Sequence, residues 1–315
     1  MNTAATKGAA RKPRRGSLIS NKAQNNLTII LFLLPAFILF FLFIIYPIVQ
    51  SVYYSFFSWK GFGPATDFIG LDNYAQIVKD KIFHRAILNG LLVVGLSLGL
   101  QLPLSLALAI MVGRDLPGRG FFRMIFFMPY VISEVIAAIA FLGLFNPDPT
   151  RGLINAILVL FPGVEPIGWM GSRELVLPCI FIVMTWKYFG LHMLLFLAGL
   201  QSIPTEVEEA ARIDGANGLQ LVRYITIPML ANTIRTCMYL SILGSLQQFV
   251  LVWVMTKGGP VNASEMMSTY MYRYSFVRFW LGYGSSVAII MLLISLAFSI
   301  GYLRIVRQPE YLGAQ

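Results

Sequence analysis

The chain has 315 residues, of which 57% are hydrophobic and only 12% are charged. Soluble domains carry about 25% charged residues, so this composition excludes an ordinary water-soluble enzyme and indicates a membrane protein. The net charge of +10 does not indicate a nucleic-acid partner, because the basic residues lie in short stretches beside apolar segments, where they set membrane orientation.

Six apolar stretches have the length of about 20 residues that a helix needs to cross a bilayer. They lie near 28–49, 88–112, 124–145, 175–199, 230–254 and 283–303. The first is too long for the apolar region of a signal peptide and lacks a small-residue cleavage site, so we expect a retained anchor. The predicted fold is an all-α membrane protein with six transmembrane helices.

The amino-terminal tail, residues 1–26, is basic and contains no acid. By the positive-inside rule this tail is cytoplasmic, and six spans return the carboxy-terminal tail, 305–315, to the same side. Residues 27–304 then form the membrane domain. We expect a multi-pass membrane protein with both termini cytoplasmic.

The segment between the fourth and fifth stretches is too charged for a span and has helix signals. Thr205 and Glu208 have the spacing of a capping box, and Glu208 and Arg212 have that of a helical ion pair. Gly215 and Gly218 permit the backbone that ends a helix and turns the chain. This pattern predicts a cytoplasmic helix–turn–helix. It leaves open whether the unit fits a groove on a partner or is an amphipathic interfacial loop.

The spacing within this segment, 201–229, is more specific. Glu209-Ala210-Ala211, three residues, Gly215, nine residues and then ITIP at 225–228 resembles the EAA motif of bacterial ABC importer permeases, with Ile227 where that family usually has leucine. Four further stretches are similar to the carbohydrate-importer branch, the maltose-type permeases: FIGLDNYAQIV at 68–78, FRMIFFMPYVIS at 122–133, TKGGP at 256–260 and LGYGSSVA at 281–288. Of these, the LDNY and TKGGP stretches resemble the first subunit of that branch more than its pairing partner. The chain lacks the large periplasmic insertion and extra amino-terminal spans of the maltose subunit itself.

The resemblance implies a type I ABC importer fold whose EAA helices dock on a cytoplasmic ATPase. The residues that it assigns to coupling are Glu209, Ala210, Ala211, Asp214, Gly215 and Pro228, with the acids as polar contacts and the alanines as a close-packed face. The implied partners are a second homologous permease, an ATPase dimer, a periplasmic substrate-binding protein, a sugar and the lipid bilayer. The implied location is the bacterial inner membrane.

The chain has no phosphate loop of its own. GRDLPGRG at 113–120 has Arg119 where the lysine belongs, so ATP and Mg²⁺ would be bound by the partner ATPase, and this subunit would be non-catalytic. Cys179 and Cys237 lie in apolar segments, and His84 lies far from His192. We therefore expect neither a disulfide framework nor a metal site.

Polar residues within spans are candidates for a substrate pathway. On the spans that flank the EAA segment, the resemblance to the maltose-type permeases implies sugar-holding positions at or near Lys187, Tyr188, Ser241, Gly244, Ser245 and Gln248, and Trp186 and His192 lie close to Lys187 in the sequence. Ser241, Ser245 and Gln248 have the spacing of one helical face. Two roles stay open for Lys187: pairing with Glu134, or facing a cargo that would then be an anionic sugar. The serines could equally bond helices together. The alternative function is an ion-coupled secondary sugar transporter, with Glu134 as a proton relay.

Overall fold

The computed structural model describes residues 21–113 and 118–305, and this part of the chain is helical without a β-sheet. The tail predictions for 1–20 and 306–315, and residues 114–117 of the basic loop, lie outside the described residues. The helices are Asn21–Phe40, Tyr46–Tyr54, Asp72–Lys79, Lys81–Leu96, Leu102–Gly113, Arg119–Val131, Glu134–Leu144, Leu153–Leu158, Val176–Leu200, Thr205–Ile213, Gly218–Leu221, Ile227–Met229, Ala231–Leu246, Val250–Met255, Met267–Tyr272 and Leu281–Ile305. Short π-helical turns join or extend them at Phe41–Ile45, Ser97–Gln101, Val222–Thr226 and Arg273–Val277.

Five helical segments of the described residues are long and apolar enough to cross a membrane. A bent pair of helices passes the same test and makes a sixth if the pair is one span, so five or six candidate spans agree with the predicted all-α membrane fold. We number them in chain order: span one Thr28–Tyr54, span two Lys81–Gly113, span three Arg119–Val131 with Glu134–Leu144, span four Val176–Leu200, span five Ala231–Met255, and span six Leu281–Arg304.

Span two begins before the apolar run that defines it in the sequence. The carboxylate of Asp80 accepts hydrogen bonds from the backbone N–H groups of Ile82 and Phe83, at 2.6 and 3.3 Å. This cap satisfies donors that a helix start leaves unpaired, so the helix can begin in a charged segment. Hydropathy alone places the boundary at residue 88, because it does not register the cap.

The chain divides into two compact units, residues 1–50 and 51–315. In the first, the helix Asn21–Phe40 contains Pro35 and continues through the π-turn into the start of the next helix. In the second, span four is central: the helix Leu102–Gly113 and the first half of span three both pack against it. Buried residues of span four supply much of two apolar clusters that form the core.

Span three is broken, whereas the sequence predicts one helix over 124–145. Its two halves meet at 95°. The break lies at Ile132 and Ser133, whose backbones are extended, with ψ of 139° and 138°. The second half then packs on the helix Val250–Met255.

Span five is interrupted as well. The helix that begins at Ala231 ends at Leu246, and a new helix begins at Val250. Gln248 therefore lies in the break between two helices, so the prediction that it shares one regular helical face with the two serines is wrong. The periodic spacing of residues holds only while the helix continues.

Candidate functional site

The segment 201–229 folds as the predicted helix–turn–helix. Its first helix is Thr205–Ile213, and Glu208 and Arg212 form the expected ion pair, with 3.8 Å between carboxylate and guanidinium. Gly215 ends the helix with φ of +88°, a conformation that costs little only for glycine. The N–H of Ala216 donates to the carbonyl of Ala211 at 2.9 Å and closes the turn.

The capping residues differ from the prediction. Pro204 is the N-cap of the first helix, no side chain caps it, and Thr205 lies inside the helix. The capping box is found instead at the second helix, where Asn217 and Gln220 exchange side chain to backbone hydrogen bonds of 2.8 and 2.9 Å. An amide pair satisfies the same donors as the predicted Thr and Glu pair. Pro228 sits in the first turn of the last short helix, which ends one residue later, at Met229.

The exposed surface of this segment carries most of the predicted coupling residues. Glu209, Ala210, Asp214, Gly215 and Pro228 are exposed. Ala211 is only 8% exposed and packs within the chain, so of the two alanines only Ala210 is accessible to a partner. Large apolar side chains that are not among the predicted coupling residues are also exposed here, and Ile213, Leu219 and Tyr224 are the most exposed of them.

Such apolar side chains next to charged ones are typical of a docking surface. Their position in a polar, capped segment is the sequence signal that could have identified them. Behind the segment, a cavity of about 560 Å³ separates it from the ends of spans two, three and four. Arg123, Gln201, Thr205 and Thr226 supply part of its polar lining.

The membrane interior holds a second group of polar residues. Ser241, Ser245 and Gln248 are all buried, at 3–6% exposure. Ser245 Oγ donates to Ser97 Oγ of span two at 3.2 Å, and Ser97 Oγ donates to Gln101 Oε1 at 3.0 Å. These two span-two residues were missed in the sequence. Their spacing of four within an apolar run is the signal that one face of the span is polar.

Two atoms of this polar group lack an internal partner. Among the described residues, Ser241 Oγ and Gln248 Nε2 are buried and make no hydrogen bond. Gly244, one turn from Ser241 and next to Ser245 in the sequence, is exposed, and a Cβ placed on it would meet nothing within 4 Å. A buried donor without a partner is costly unless a ligand or water completes it. The arrangement therefore suits the binding of a polar molecule beside Gly244.

Two aromatic candidates of span four, Trp186 and His192, lie in different surroundings. Trp186 contacts Phe141 edge-on, with 5.1 Å between ring centroids, so it packs against span three. His192 is 5% exposed and lies within the buried part of span four. Among the described residues, the buried Nδ1 of His192 makes no hydrogen bond, as is the case for Ser241 Oγ and Gln248 Nε2, so a role of His192 and Trp186 in the substrate pathway stays a prediction.

Lys187 makes contacts that the sequence does not predict. Its side chain is 3% exposed, and its ammonium donates to the carbonyls of Pro129 and Tyr130, at 3.2 and 2.9 Å, and to that of Ile132. Glu134 is held by Tyr188 instead, whose hydroxyl donates to its carboxylate. The lysine thus binds the end of a broken helix rather than a carboxylate.

The motif stretches between spans are explained by local bonding. In the stretch 68–78, the Asn73 amide donates to the carbonyls of Ser55 and Phe57, at 2.8 and 3.2 Å, and the Tyr74 hydroxyl donates to Ser55 Oγ at 2.7 Å. These bonds attach the short helix to the end of span one's last helix. Asn73 is buried, so this residue has a structural role in the stretch.

The TKGGP stretch belongs to a clamp between spans five and six. Glu265 is fully buried and pairs with Arg273 at 2.7 Å, and Arg273 also donates to Asn262 Oδ1 at 2.9 Å. Burial raises the pKa of Glu265 above its ordinary value, and Arg273 and Thr269 partly offset this effect. Gly258, with φ of +83°, is required because a Cβ there would lie 2.4 Å from the Glu265 carboxylate.

Comparisons with known proteins agree with this architecture. The profile of the family described as binding-protein-dependent transport system inner membrane component matches residues 101–309. The chain is 29% identical to the diacetylchitobiose uptake system permease of Streptomyces coelicolor, over 91% of this chain and 84% of that protein. It is 31% identical to the sulfoquinovosyl glycerol transport system permease of Agrobacterium fabrum, over 91% and 92%.

Among solved structures, a chain of a bacterial alginate ABC transporter superimposes with a TM-score of 0.80 at 23% identity, covering 95% of this chain and all of that one. That likeness supports the fold. The protein belongs to the binding-protein-dependent transport system inner membrane component family and is a permease, the non-catalytic membrane subunit of an ABC importer.

Proposed function

We propose that the chain imports a sugar or sugar derivative as one of two permease subunits, driven by an ATPase dimer and supplied by an extracytoplasmic binding protein. Both termini and the segment 201–229 lie on the cytoplasmic side in this proposal, and ATP and Mg²⁺ are held by the ATPase. Relatives named for diacetylchitobiose and sulfoquinovosyl glycerol uptake support the sugar class.

The proposal rests on one observation: the same spans connect segment 201–229 to the buried polar group. Segment 201–229 joins span four to span five, and span five continues directly into the polar group at Ser241, Ser245 and Gln248. A rigid helix–turn–helix pulled by an ATPase would therefore move the helices that line the polar group. Packed helices transmit such displacements as rigid bodies.

The contacts of Lys187 bear on whether this chain binds an anionic sugar. One relative takes an anionic sulfosugar by its name, but the ammonium of Lys187 is already bonded to three carbonyls. An anionic sugar therefore needs another cation, which the partner permease or binding protein would supply. The hydroxyl of Ser241 and the amide of Gln248 can donate hydrogen bonds to the hydroxyl groups of a neutral sugar or of an anionic one.

Charge reversal on the docking surface tests the proposal. Glu209→Lys should abolish uptake of radiolabelled sugar into proteoliposomes holding the complete transporter, and should uncouple ATP hydrolysis from the binding protein. Glu206→Lys is the matched control, because it reverses an exposed acid in the same helix. Sugar transport by this chain alone, driven by a proton gradient, would overturn the proposal.

A further inference from the structure

The break in span three leaves backbone carbonyls without helical partners. A helix that ends at Val131 has up to four carbonyls that no N–H of the same helix can satisfy. Within a membrane, water does not replace those bonds, so each unsatisfied group is costly. Another element of the chain must therefore donate hydrogen bonds to these carbonyls if the break is to be stable.

Span four supplies the donors through one side chain. Lys187 Nζ has three hydrogens, and the three carbonyls that it contacts are those of Pro129, Tyr130 and Ile132. Its charge also lies at the negative end of the first half-helix, which favours a cation. The ring centroids of Tyr130 and Tyr188 lie 5.7 and 5.9 Å from the ammonium and add cation–π attraction.

The second half of span three has the opposite arrangement. Glu134 is its first residue, so a negative charge lies at the positive end of that half-helix. The hydroxyl of Tyr188, the neighbour of Lys187 in span four, donates to this carboxylate. Two consecutive residues of span four therefore hold the two ends of the break, one by a cation and one by a hydroxyl.

We infer that Lys187, Tyr188 and Glu134 form a joint that keeps span three broken, and that Lys187 is a positioning residue for the transport step rather than a contact for cargo. The joint positions the half-helix Glu134–Leu144, which packs on Val250–Met255 just beyond Gln248. Its link to transport rests on the proposed function. The geometry of the joint does not.

The experiment uses the complete transporter in lipid nanodiscs, with Cys179→Ala and Cys237→Ala. Spin labels are placed on Met124 and Ile139, which are exposed and lie in the two halves of span three. Pulsed electron paramagnetic resonance then measures the distance between the labels. The joint predicts one narrow distribution in the parent, retained in Lys187→Arg, and a broadened or shifted one in Lys187→Met.

Transport kinetics separate positioning from cargo contact. Losing charge-assisted bonds to three carbonyls should lower the maximal uptake rate of Lys187→Met by at least about tenfold, with the KM for sugar little changed and Lys187→Arg partly restoring the rate. Tyr188→Phe removes one bond at nearly constant volume and should give a smaller effect in the same direction.

Each outcome decides one of the two claims. An unchanged distance distribution in Lys187→Met would overturn the joint. A variant that raised KM at constant maximal rate would make the lysine a cargo contact and overturn its positioning role. If the parent complex hydrolysed ATP without moving any sugar, the proposed function would fail, and the distance measurement would still test the joint.

Discussion

The close approach of spans three and four predicts an unusual sensitivity at Gly190. A Cβ on this residue would lie 2.0 Å from the carbonyl oxygen of Phe126 and 3.0 Å from the Cα of Phe127. Both neighbours are backbone atoms, so no side chain can rotate away. Gly190→Ala must therefore move one helix against the other.

The magnitude follows from the distances. Carbon–oxygen contacts between packed helices are about 3.3–3.6 Å long, so the helices must separate by more than about 1 Å. Overpacking of this kind costs about 1–3 kcal/mol. The same shift would displace the carbonyls that Lys187 binds, one helical turn beyond Phe126, and so weaken the break in span three as well.

Gly244→Ala provides the matched control within a membrane helix, because a Cβ there meets nothing within 4 Å. Replacing glycine by alanine in a helix gains about 1 kcal/mol when space allows, so the two variants should change stability in opposite directions. Cys179 and Cys237 are buried and free. A thiol-reactive fluorogenic dye therefore reports thermal unfolding in detergent. A Gly190→Ala midpoint equal to or above that of Gly244→Ala would refute the reasoning.

Three further predictions follow from other positions. Gly215→Ala forces a side chain into a backbone with φ of +88°, which costs about 1–2 kcal/mol. In a pull-down titration this variant should bind the ATPase about 5–30-fold more weakly. Gly218→Ala, at a helix start, should not weaken that binding. Gly244→Leu should lower sugar uptake without lowering the unfolding midpoint, since the side chain enters open space; a lost midpoint would contradict this. Arg273→Met leaves the buried carboxylate of Glu265 unpaired and should destabilise the loop by about 3 kcal/mol. Limited proteolysis should therefore cleave this variant faster than it cleaves Glu265→Gln.

Much of the fold could be predicted because local chemistry decides it. Apolar length locates the spans, and the ion pair of Glu208 with Arg212 and the positive φ of Gly215 follow from nearest-neighbour rules. The same rules misplace the capping box, because Thr205 and Asn217 both satisfy the pattern. Only the observed first residue of each helix shows which of the two pairs forms the capping box.

The candidate site could be predicted only in part, because its decisive contacts join distant residues. The polarity of Ser241 and Ser245 is visible in the sequence, but the bond from Ser245 to Ser97 spans 148 positions. The role of Lys187 depends on carbonyls 55–58 residues away, and a backbone carbonyl has no sequence signature. Hydropathy therefore shows a continuous third span where the structure has two helices.

The break in span three has a consequence for how sequences in this family vary. Neither position 132 nor position 133 is a glycine or a proline. The interruption is therefore encoded jointly by the residues at the break and by a hydrogen-bond donor in span four. A relative that replaces Lys187 by an apolar residue should then either carry another donor facing the same carbonyls or have an uninterrupted third helix. Covariation between position 187 and positions 129–134 is the signature to seek in aligned sequences.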